Sequence, residues 1–419
     1  MTHPKMQYTY VGIDSHKETH TAVFLNCFFE KLGEIQFSNI PSGFDDFITQ
    51  AQAYLMDGTV FLFGMEDCSS YGRMLMVHLT QHGYHVKHVN ALLVARERKN
   101  QNTTQKTDSI DAECAARVLL SKFDQLPDAV PEDKYWALRA LVTRRALLVK
   151  HHIATQKYLH GLLSQNYPKY RSFFSEIDGK TALAFFKRYP SPGTLQSTTA
   201  EELAVFLELH SNRVLGMPKA IKILAIIKES ASAIPIQHQN VQDSVVQSAV
   251  RQLEFNADEV ERLEDSIRVF LTGFDCTLTS MAGIDTVTAA QLLASIGNIK
   301  KFSTPAKLAR YAGIAPVTYA SGKKDLQFSN QRGNRELNSV IFWLAVRVAK
   351  PMGGQQRVMN SFFYDYYNRK ISEGKTKRQA LKCVERRLVN IIWTMLYRNE
   401  EYVNPPAYDL PDKLDNATQ

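Results

Sequence analysis

Four acidic residues at three places in the chain carry the side chains best suited to metal chemistry. Asp14 ends the run YTYVGID, Glu66 ends the apolar run VFLFGME, and Asp108 and Asp111 lie in KTDSIDAE. Residues three apart share one face of a helix, so the last two carboxylates are expected to point the same way. Carboxylates gathered at one point repel each other unless a cation lies among them. Hard divalent cations such as Mg²⁺ bind carboxylate oxygen and keep waters that a phosphate can replace.

This set predicts a site for phosphoryl transfer on nucleic acid, because two such ions about 4 Å apart can hold both sides of a phosphodiester. Each acid also has a simpler interpretation. Asp14 could be a solvated turn residue, and the pair in KTDSIDAE could be a helix N-cap and a first-turn acid. Glu66 is harder to explain in this way, because a carboxylate directly after a buried strand is costly without a partner. Two weaker candidates are Asp67 and Glu113.

A second candidate for chemistry is Ser321, in the segment YAGIAPVTYASGKKDLQFSNQRGNRELN. We predict that it lies in a polar loop, where Lys323 and Lys324 would stabilise the charge that develops on an attacked phosphate. Nothing nearby in the sequence supplies a base, and a plain turn serine is the simpler interpretation. The competing hydroxyls in this segment are those of Thr318, Tyr319 and Ser329.

The distribution of charge favours an anionic partner. The formal net charge is +8 and the pI is about 9.0, and basic residues cluster between Lys300 and Lys350 and again between Arg369 and Arg387. Basic stretches with aromatic residues nearby are typical of nucleic-acid surfaces, although solvated helix faces look the same in sequence. The residues that we expect to contact nucleic acid are Arg96, Arg98, Lys99, Lys323, Lys324, Arg332 and Arg335.

The first domain, residues 1–125, has the pattern needed to bring the four acids together. Strand patterns occur at 8–13, 21–28, 34–37, 60–64 and 85–89, and helical patterns at 43–56, 71–82 and 109–122. Three antiparallel strands followed by alternating helices and strands is the order of an RNase H-like α/β sheet. The acids fall at its first strand, its fourth strand and its last helix.

The rest of the chain is predicted to be helical. Residues 132–273 contain long helical patterns with coiled-coil-like repeats, which favour an antiparallel arm or a dimerisation device over a plain bundle. Residues 275–402 form a third module. Its segment MAGIDTVTAAQLLASIG resembles a helix-hairpin-helix motif, whose helix N-terminus could hold a phosphate. Residues 403–419 are expected to form a disordered tail.

Several classes of protein are disfavoured. The five cysteines are scattered, with no CxxC pair and no histidine at ligand spacing, which argues against zinc and against a disulfide framework. No signal-peptide pattern and no apolar run of membrane-spanning length occur, so we expect a cytoplasmic protein of a bacterium or archaeon without membrane contact. No organic cofactor site is predicted.

Two stretches of the sequence resemble a known family. VGIDSHKETHTAVFL, GMED and KTDSIDAECAARVL resemble the N-terminal RuvC-like DEDD domain of the IS-one-ten family of insertion-sequence transposases, which are bridge-RNA-guided recombinases. The stretch from MAGIDTVTAAQLLASIG to NSVIFWLA resembles the C-terminal transposase domain of that family. The two regions cover more than half of the chain, whereas the helical middle matches only in character.

The resemblance implies a specific chemistry. Asp14, Glu66, Asp108 and Asp111 would bind Mg²⁺, or Mn²⁺ in its place, and Ser321 would form a covalent phosphoserine link to DNA before strand exchange. The family pattern Ser-Gly-Gly reads Ser-Gly-Lys here. The resemblance further implies a homo-oligomer, dimer or tetramer, with composite sites, and a noncoding bridge RNA that pairs with donor and target DNA.

Two alternatives remain at this stage. A RuvC-like junction endonuclease would cut DNA with activated water and form no covalent intermediate. A nucleic-acid-binding protein with a merely structural acidic cluster would break no strand.

Overall fold

The computed structural model describes residues 3–66, 70–101, 105–129, 134–229, 237–321, 324–328, 330, 333–351, 353 and 357–404. The chain divides into two compact units, residues 1–136 and residues 137–419.

The first unit is a mixed sheet covered by helices on both faces. Its described strands are β1 (Tyr8–Ser15), β2 (Thr19–Leu25), β3 (Lys31–Ser38), β4 (Val60–Met65) and β5 (His85–His88). Its described helices are α1 (Pro41–Ala51), α2 (Arg73–Gln81), α3 (Ala91–Asn100) and α4 (Asp108–Lys122). The element order agrees with the sequence prediction except for α3, which the prediction missed.

The strand order in the sheet is β3-β2-β1-β4-β5. β1, β2 and β3 pair antiparallel, whereas β4 runs parallel to β1 and β5 runs parallel to β4. In the register of the central pair, Ile13 lies opposite Met65. Because β1 and β4 are parallel, the residues that come next, Asp14 and Glu66, lie at the same edge of the sheet.

The two faces of the sheet bury different sets of side chains, as the alternation along a strand requires. Val11, Ile13 and Phe63 pack with α1 and α2 on one face. Tyr10 and Leu62 pack with α4 on the other face. Gly12 lies between Val11 and Ile13 on β1 and faces α4. Because it has no side chain, α4 can approach the strand closely. A Cβ at this position would lie 2.2 Å from the carbonyl oxygen of Ala112.

The second unit is mainly helical. Its described helices, counting α5 although it begins at the end of the first unit, are α5 (Lys134–Asn166), α6 (Lys180–Arg188), α7 (Ala200–His210), α8 (Met217–Glu229), α9 (Gln239–Leu271), α10 (Thr286–Ile296), α11 (Pro305–Tyr311), α12 (Arg335–Ala349), α13 (Ser361–Ser372) and α14 (Lys377–Arg398). Its described strands are β6 (Val317–Ser321) and β7 (Lys324–Phe328), which pair antiparallel. No helix in the described part of the chain has the length and apolar character needed to cross a membrane.

The two longest helices run antiparallel, as an arm would. Arg145 of α5 donates two hydrogen bonds to Glu264 of α9, at 2.8 and 2.5 Å. Further along, Leu159 and Leu163 of α5 share a core with Val250 of α9. Helices α6, α7 and α8 pack into that same core, which is rich in aromatic side chains. Part of the predicted apolar repeat of α9 is therefore buried in a core within the chain itself.

The C-terminal part differs from prediction in two details. The first helix of the proposed helix-hairpin-helix is only a 3₁₀ turn, Leu278–Ser280, although Gly283 adopts the positive φ of +104° that the turn requires. The segment around Ser321 is a β-hairpin rather than a polar loop. The alternation in VTYAS and KDLQF is the local signal for these strands. Most of the predicted tail, residues 405–419, lies outside the described residues.

Candidate active site

Four carboxylates meet at one edge of the sheet in the first unit. We call this group the acidic edge; it consists of Asp14, Glu66, Asp108 and Asp111. Asp14 belongs to the end of β1, and Glu66 directly follows β4. Asp108 and Asp111 lie in the first turn of α4. α4 packs on the face of β1 that carries Gly12, which brings its N-terminus to the end of that strand.

Asp108 and Asp111 are not the capping residues of α4. Thr107 is the N-cap, and its hydroxyl accepts a hydrogen bond from the backbone N–H of Ile110 at 3.2 Å. This cap leaves both carboxylates free to face the sheet edge. Asp111 is buried and Asp108 is exposed, so the edge runs from the protein interior to solvent.

His16 is a member of the site that the sequence analysis did not identify. Its Nε2 lies 3.2 Å from Oδ2 of Asp14 and 3.1 Å from Oδ1 of Asp108. The three groups together have the spacing of ligands that could hold one metal ion. The position of His16, two residues after Asp14 at the β1–β2 turn, was the available signal.

Basic side chains also approach the acidic edge. The guanidinium of Arg98, on α3, donates a hydrogen bond to Asp111. Arg98 forms an ion pair with Asp111, and its predicted contact with nucleic acid stays a prediction. The positive charge of Lys106 lies near enough to Glu66 to oppose the rise in the pKa of that carboxyl. Arg96 and Lys99, the other two predicted nucleic-acid contacts on α3, are exposed.

Burial and the repulsion of nearby carboxylates raise the pKa of two acids at this edge, Asp14 and Glu66. Burial raises the pKa of Asp14, and the nearby charges of Asp111 and Asp108 raise it further, against an opposing effect from His16. Burial also raises the pKa of Glu66, with further increases from Asp14 and Asp111 that Lys106 and Arg98 only partly offset. A dication at this edge would relieve both the desolvation and the repulsion.

Of the two weaker acidic candidates, Glu113 and Asp67, the structure describes Glu113. Glu113 accepts a hydrogen bond from Nε of Arg117 at 2.9 Å, one turn further along α4. Asp67 lies outside the described residues.

Ser321 is placed only by its backbone. It is the last residue of β6 and pairs with Lys324, the first residue of β7. Of the predicted nucleic-acid contacts in this segment, Arg335 is exposed at the first position of α12, whereas Lys323 and Arg332 lie outside the described residues, as does the competing hydroxyl of Ser329.

The predicted phosphate-binding helix N-terminus is already capped. Oδ1 of Asp285 accepts the backbone N–H of Thr288 at 2.7 Å, at the start of α10. Arg347 donates a hydrogen bond to Oδ2 of Asp285 at 3.1 Å. The carboxylate of Asp285 therefore already binds one of the backbone N–H groups that were predicted to hold a phosphate.

Comparison with known proteins matches this arrangement to an enzyme family. A family model for IS110-type DEDD transposases matches residues 11–168, which include the whole acidic edge. A second model, described as the transposase IS116/IS110/IS902 family, matches residues 276–358, which include Ser321. Together they match more than half of the chain. The protein is therefore a transposase, an enzyme that processes DNA. It belongs to the IS110 family, the IS-one-ten family that the sequence resembles.

Full-length relatives support the assignment. The chain is 25% identical over 390 residues to the uncharacterized 44.8 kDa protein of insertion element IS116 from Streptomyces clavuligerus, covering 92% of this chain and 94% of the relative. It is 23% identical over 408 residues to a pilin gene-inverting protein of Moraxella bovis, covering 95% of this chain and 98% of the relative. The family assignment also implies dependence on a divalent metal, for which the acidic edge offers ligands.

Proposed function

We propose that the protein is the transposase of an insertion sequence that cuts and rejoins DNA through a covalent phosphoserine intermediate, with Mg²⁺ at the acidic edge. The first unit would be the RuvC-like catalytic domain. The observation that supports this most directly is the meeting of Asp14, Glu66 and Asp111 at the ends of two parallel strands and the start of a helix, with the pKa of Asp14 and of Glu66 raised.

The donor set fits Mg²⁺. All four groups of the acidic edge are carboxylates, the ligand type that hard cations prefer, and Mn²⁺ would be accepted by the same set. Bound there, the metal would supply electrophilic stabilisation of a phosphate oxygen and lower the pKa of a hydroxyl or water. We propose that His16 and Arg98 hold the carboxylates in position before the metal arrives, since each contacts at least one of them.

Ser321 is the proposed nucleophile. Its Oγ would form a bond to the phosphorus of the scissile phosphodiester, losing the hydroxyl proton. The bond from phosphorus to the leaving deoxyribose oxygen would break, and that oxygen would take up a proton. A second DNA end would then attack the phosphoserine and release Ser321, so the phosphodiester energy is conserved through strand exchange. The backbone pairing of Ser321 with Lys324 agrees with a serine held on a hairpin beside basic residues.

The partners proposed are donor and target DNA, a noncoding bridge RNA and further copies of the chain. Phosphate contacts from Arg96, Lys99, Lys323, Lys324, Arg332 and Arg335 would bind backbones without reading sequence, which would leave recognition to base pairing with the RNA. Oligomerisation is supported by apolar side chains that α5 and α9 expose, namely Leu147, Ile153, Tyr158, Phe255 and Val269. We propose that the acidic edge of one copy serves the serine of another.

A second candidate function is a RuvC-like junction endonuclease. The same acidic edge favours it, because four carboxylates with a metal can activate water without any serine. It predicts cleaved ends that are free of protein.

The deciding experiment is a search for a protein–DNA adduct. The full chain would be incubated with junction DNA from the ends of its element, the flanking RNA and Mg²⁺, and then quenched in denaturant. We expect DNA covalently attached at Ser321, with loss of the adduct in Ser321→Ala and in Asp14→Asn. Cleaved DNA without an adduct, in the wild type and in Ser321→Ala alike, would establish the endonuclease instead.

Two control variants sharpen the experiment. Ser329→Ala removes the neighbouring candidate hydroxyl and should leave the adduct intact. Asp57→Asn removes an exposed acid outside the acidic edge and should leave both cleavage and adduct unchanged. An adduct that is lost in Ser329→Ala and kept in Ser321→Ala would move the nucleophile to Ser329.

A further inference from the structure

A second group of potential metal ligands lies in the first unit, apart from the acidic edge. It consists of Asp45 on α1 and of His78 and His82 at the end of α2, and we call it the His-Asp cluster. One ligand atom from each of the three side chains lies within 4.8 Å of the other two. α1 and α2 pack on the face of the sheet opposite α4, so this cluster is separate from the carboxylates described above.

The spacing of the two histidines is suited to metal binding. His78 and His82 are four residues apart, so their side chains project from the same side of α2. Two histidines at this spacing on a helix can bind one Zn²⁺. Their ring centroids are 4.2 Å apart. The scattered cysteines argue against a zinc site built on cysteine. The His-x₃-His spacing is a separate signal for zinc, which the sequence analysis missed.

The hydrogen bonding of His82 prepares it as a ligand. Its Nδ1 lies 2.8 Å from the backbone carbonyl oxygen of His78, and a carbonyl can only accept, so Nδ1 carries the proton. The lone pair is then on Nε2. A metal-binding histidine commonly donates its other ring N–H to a backbone carbonyl in this way, because the bond fixes both the tautomer and the ring orientation.

The contact between His78 and Asp45 also has the geometry of two ligands of one metal. Nε2 of His78 lies 3.1 Å from Oδ1 of Asp45, yet this nitrogen is buried and has no hydrogen-bond partner among the described residues. Ligands at about 2.0–2.2 Å from a tetrahedral ion are roughly 3.4 Å apart, and neither points along the line that joins them. A short contact that is badly aligned for a hydrogen bond is what such a pair would show.

We infer that the His-Asp cluster is a binding site for a divalent transition metal, Zn²⁺ by preference, which ties α1 to α2. Two imidazoles and one carboxylate suit Zn²⁺ and disfavour Mg²⁺, which requires oxygen ligands. Three protein ligands leave a fourth position for water. The site would stabilise the first unit and take no part in strand cleavage.

The test measures Zn²⁺ binding to the full chain after its metals have been removed with a chelator. The background carries Asp14→Asn and Glu66→Gln, so that Zn²⁺ at the acidic edge does not obscure the result. We expect one equivalent of Zn²⁺ by equilibrium dialysis and a rise in Tm of roughly 5 °C when free Zn²⁺ is well above Kd. Co²⁺ in place of Zn²⁺ should give the visible absorption of a tetrahedral site.

The decisive variants change exposed residues, so they should still fold. Asp45→Asn with His82→Gln should lose the bound equivalent, the Tm shift and the Co²⁺ absorption, while keeping its Tm in chelator. The matched control, Asp46→Asn with His85→Gln, changes one exposed neighbour of each type and should bind as the background does. Equal binding by both double variants, or no bound equivalent in the background, would overturn the inference. Neither outcome depends on whether Ser321 attacks DNA.

Discussion

The acidic edge of the first unit and the start of α10 in the second each contain an aspartate, and the pKa values of these two aspartates are shifted in opposite directions. Asp14 is part-buried among other carboxylates, and burial together with their charges raises its pKa. Burial also acts to raise the pKa of Asp285, but hydrogen bonds from Thr288 and the charge of Arg347 reverse this, and its pKa is lowered. The same residue type is thus destabilised as a carboxylate in one place and stabilised in the other.

This difference separates an acid that we propose as a metal ligand, Asp14, from a structural one, Asp285. Asp285 has its partners within the fold, because it caps a helix and pairs with Arg347. In the described structure the side chain of Asp14 contacts His16 and faces like charges, so its ionised form is destabilised where it lies. Perturbed acids of this second kind concentrate at functional sites.

The largest expected effect is loss of activity in Asp14→Asn. Removing a proposed metal ligand should lower the rate of DNA cleavage by about 10³-fold or more, while the free energy of unfolding without metal stays unchanged or increases, because a repelling charge is gone. Cleavage assays and denaturant unfolding in chelator would measure the two effects. A variant that remains fully active would place the metal elsewhere.

Gly12→Ala tests whether the position of α4 builds the acidic edge. The new Cβ would lie 2.2 Å from backbone atoms of both Ala112 and Ala116, and backbone cannot swing aside, so α4 should shift. We expect a loss of about 3 kcal/mol in the free energy of unfolding, together with weaker Mg²⁺ binding by calorimetry.

Gly64→Ala is the comparison for that variant. Its Cβ would approach side-chain atoms of Val89 and Leu119, at 2.9 Å or more, which can adjust. It should destabilise the protein less than Gly12→Ala. Equal effects of the two glycine variants on Mg²⁺ binding would show that α4 does not need its close contact with β1.

Asp285→Ala should reverse the pattern seen for Asp14. Loss of the N-cap is expected to cost about 1–2 kcal/mol of stability, with cleavage by the folded protein retained, because Asp285 has a structural partner set. Asp285→Asn should cost less, since asparagine also caps helices. Asp275→Ala, at an exposed position before the same segment, is the control for stability. A cleavage defect larger than the folding defect would contradict a purely structural role.

The smallest expected effect is on the pH dependence of stability without metal. A raised folded-state pKa means that the folded state binds the proton more tightly, so stability falls as pH rises from the ordinary value of 3.8 through the folded pKa of Asp14. Asp14→Asn should therefore be more stable than wild type at pH 7, and its advantage should shrink on acidification.

The pH effect at Asp285 has the opposite sign. Its lowered pKa contributes stability above 3.8 that is lost as pH falls through the folded value. The deficit of Asp285→Ala should thus be constant near neutrality and shrink only below about pH 4. Urea unfolding of the wild type and both variants across this range would measure the two slopes, and parallel slopes would contradict the assigned pKa directions.

Much of the fold was predicted correctly from the alternation of apolar and polar residues along short stretches of the chain. The alternation in YTYVGID and the apolar run VFLFG predicted strands that the structure contains as β1 and β4, because strand periodicity is a property of neighbouring residues. The missed helix α3 is short and has a high proportion of charged residues, so its apolar face is narrow. The hairpin β6–β7 was missed because two five-residue strands are weak signals in a sequence that is polar and contains two lysines between them and at the start of β7.

The sequence by itself determined which residues could do chemistry and the order of elements that carry them. Asp14, Glu66, Asp108 and Asp111 could be identified from residue type and from the ends of periodic runs. Only the tertiary structure decided their surroundings: that His16 bridges Asp14 and Asp108 and that Arg98 pairs with Asp111. It also decided that Arg347 pairs with Asp285. The bridge by His16 to Asp108, like the approach of Asp45 to His78, joins residues far apart in the chain. Such contacts follow from sheet register and helix packing, which local spacing does not encode.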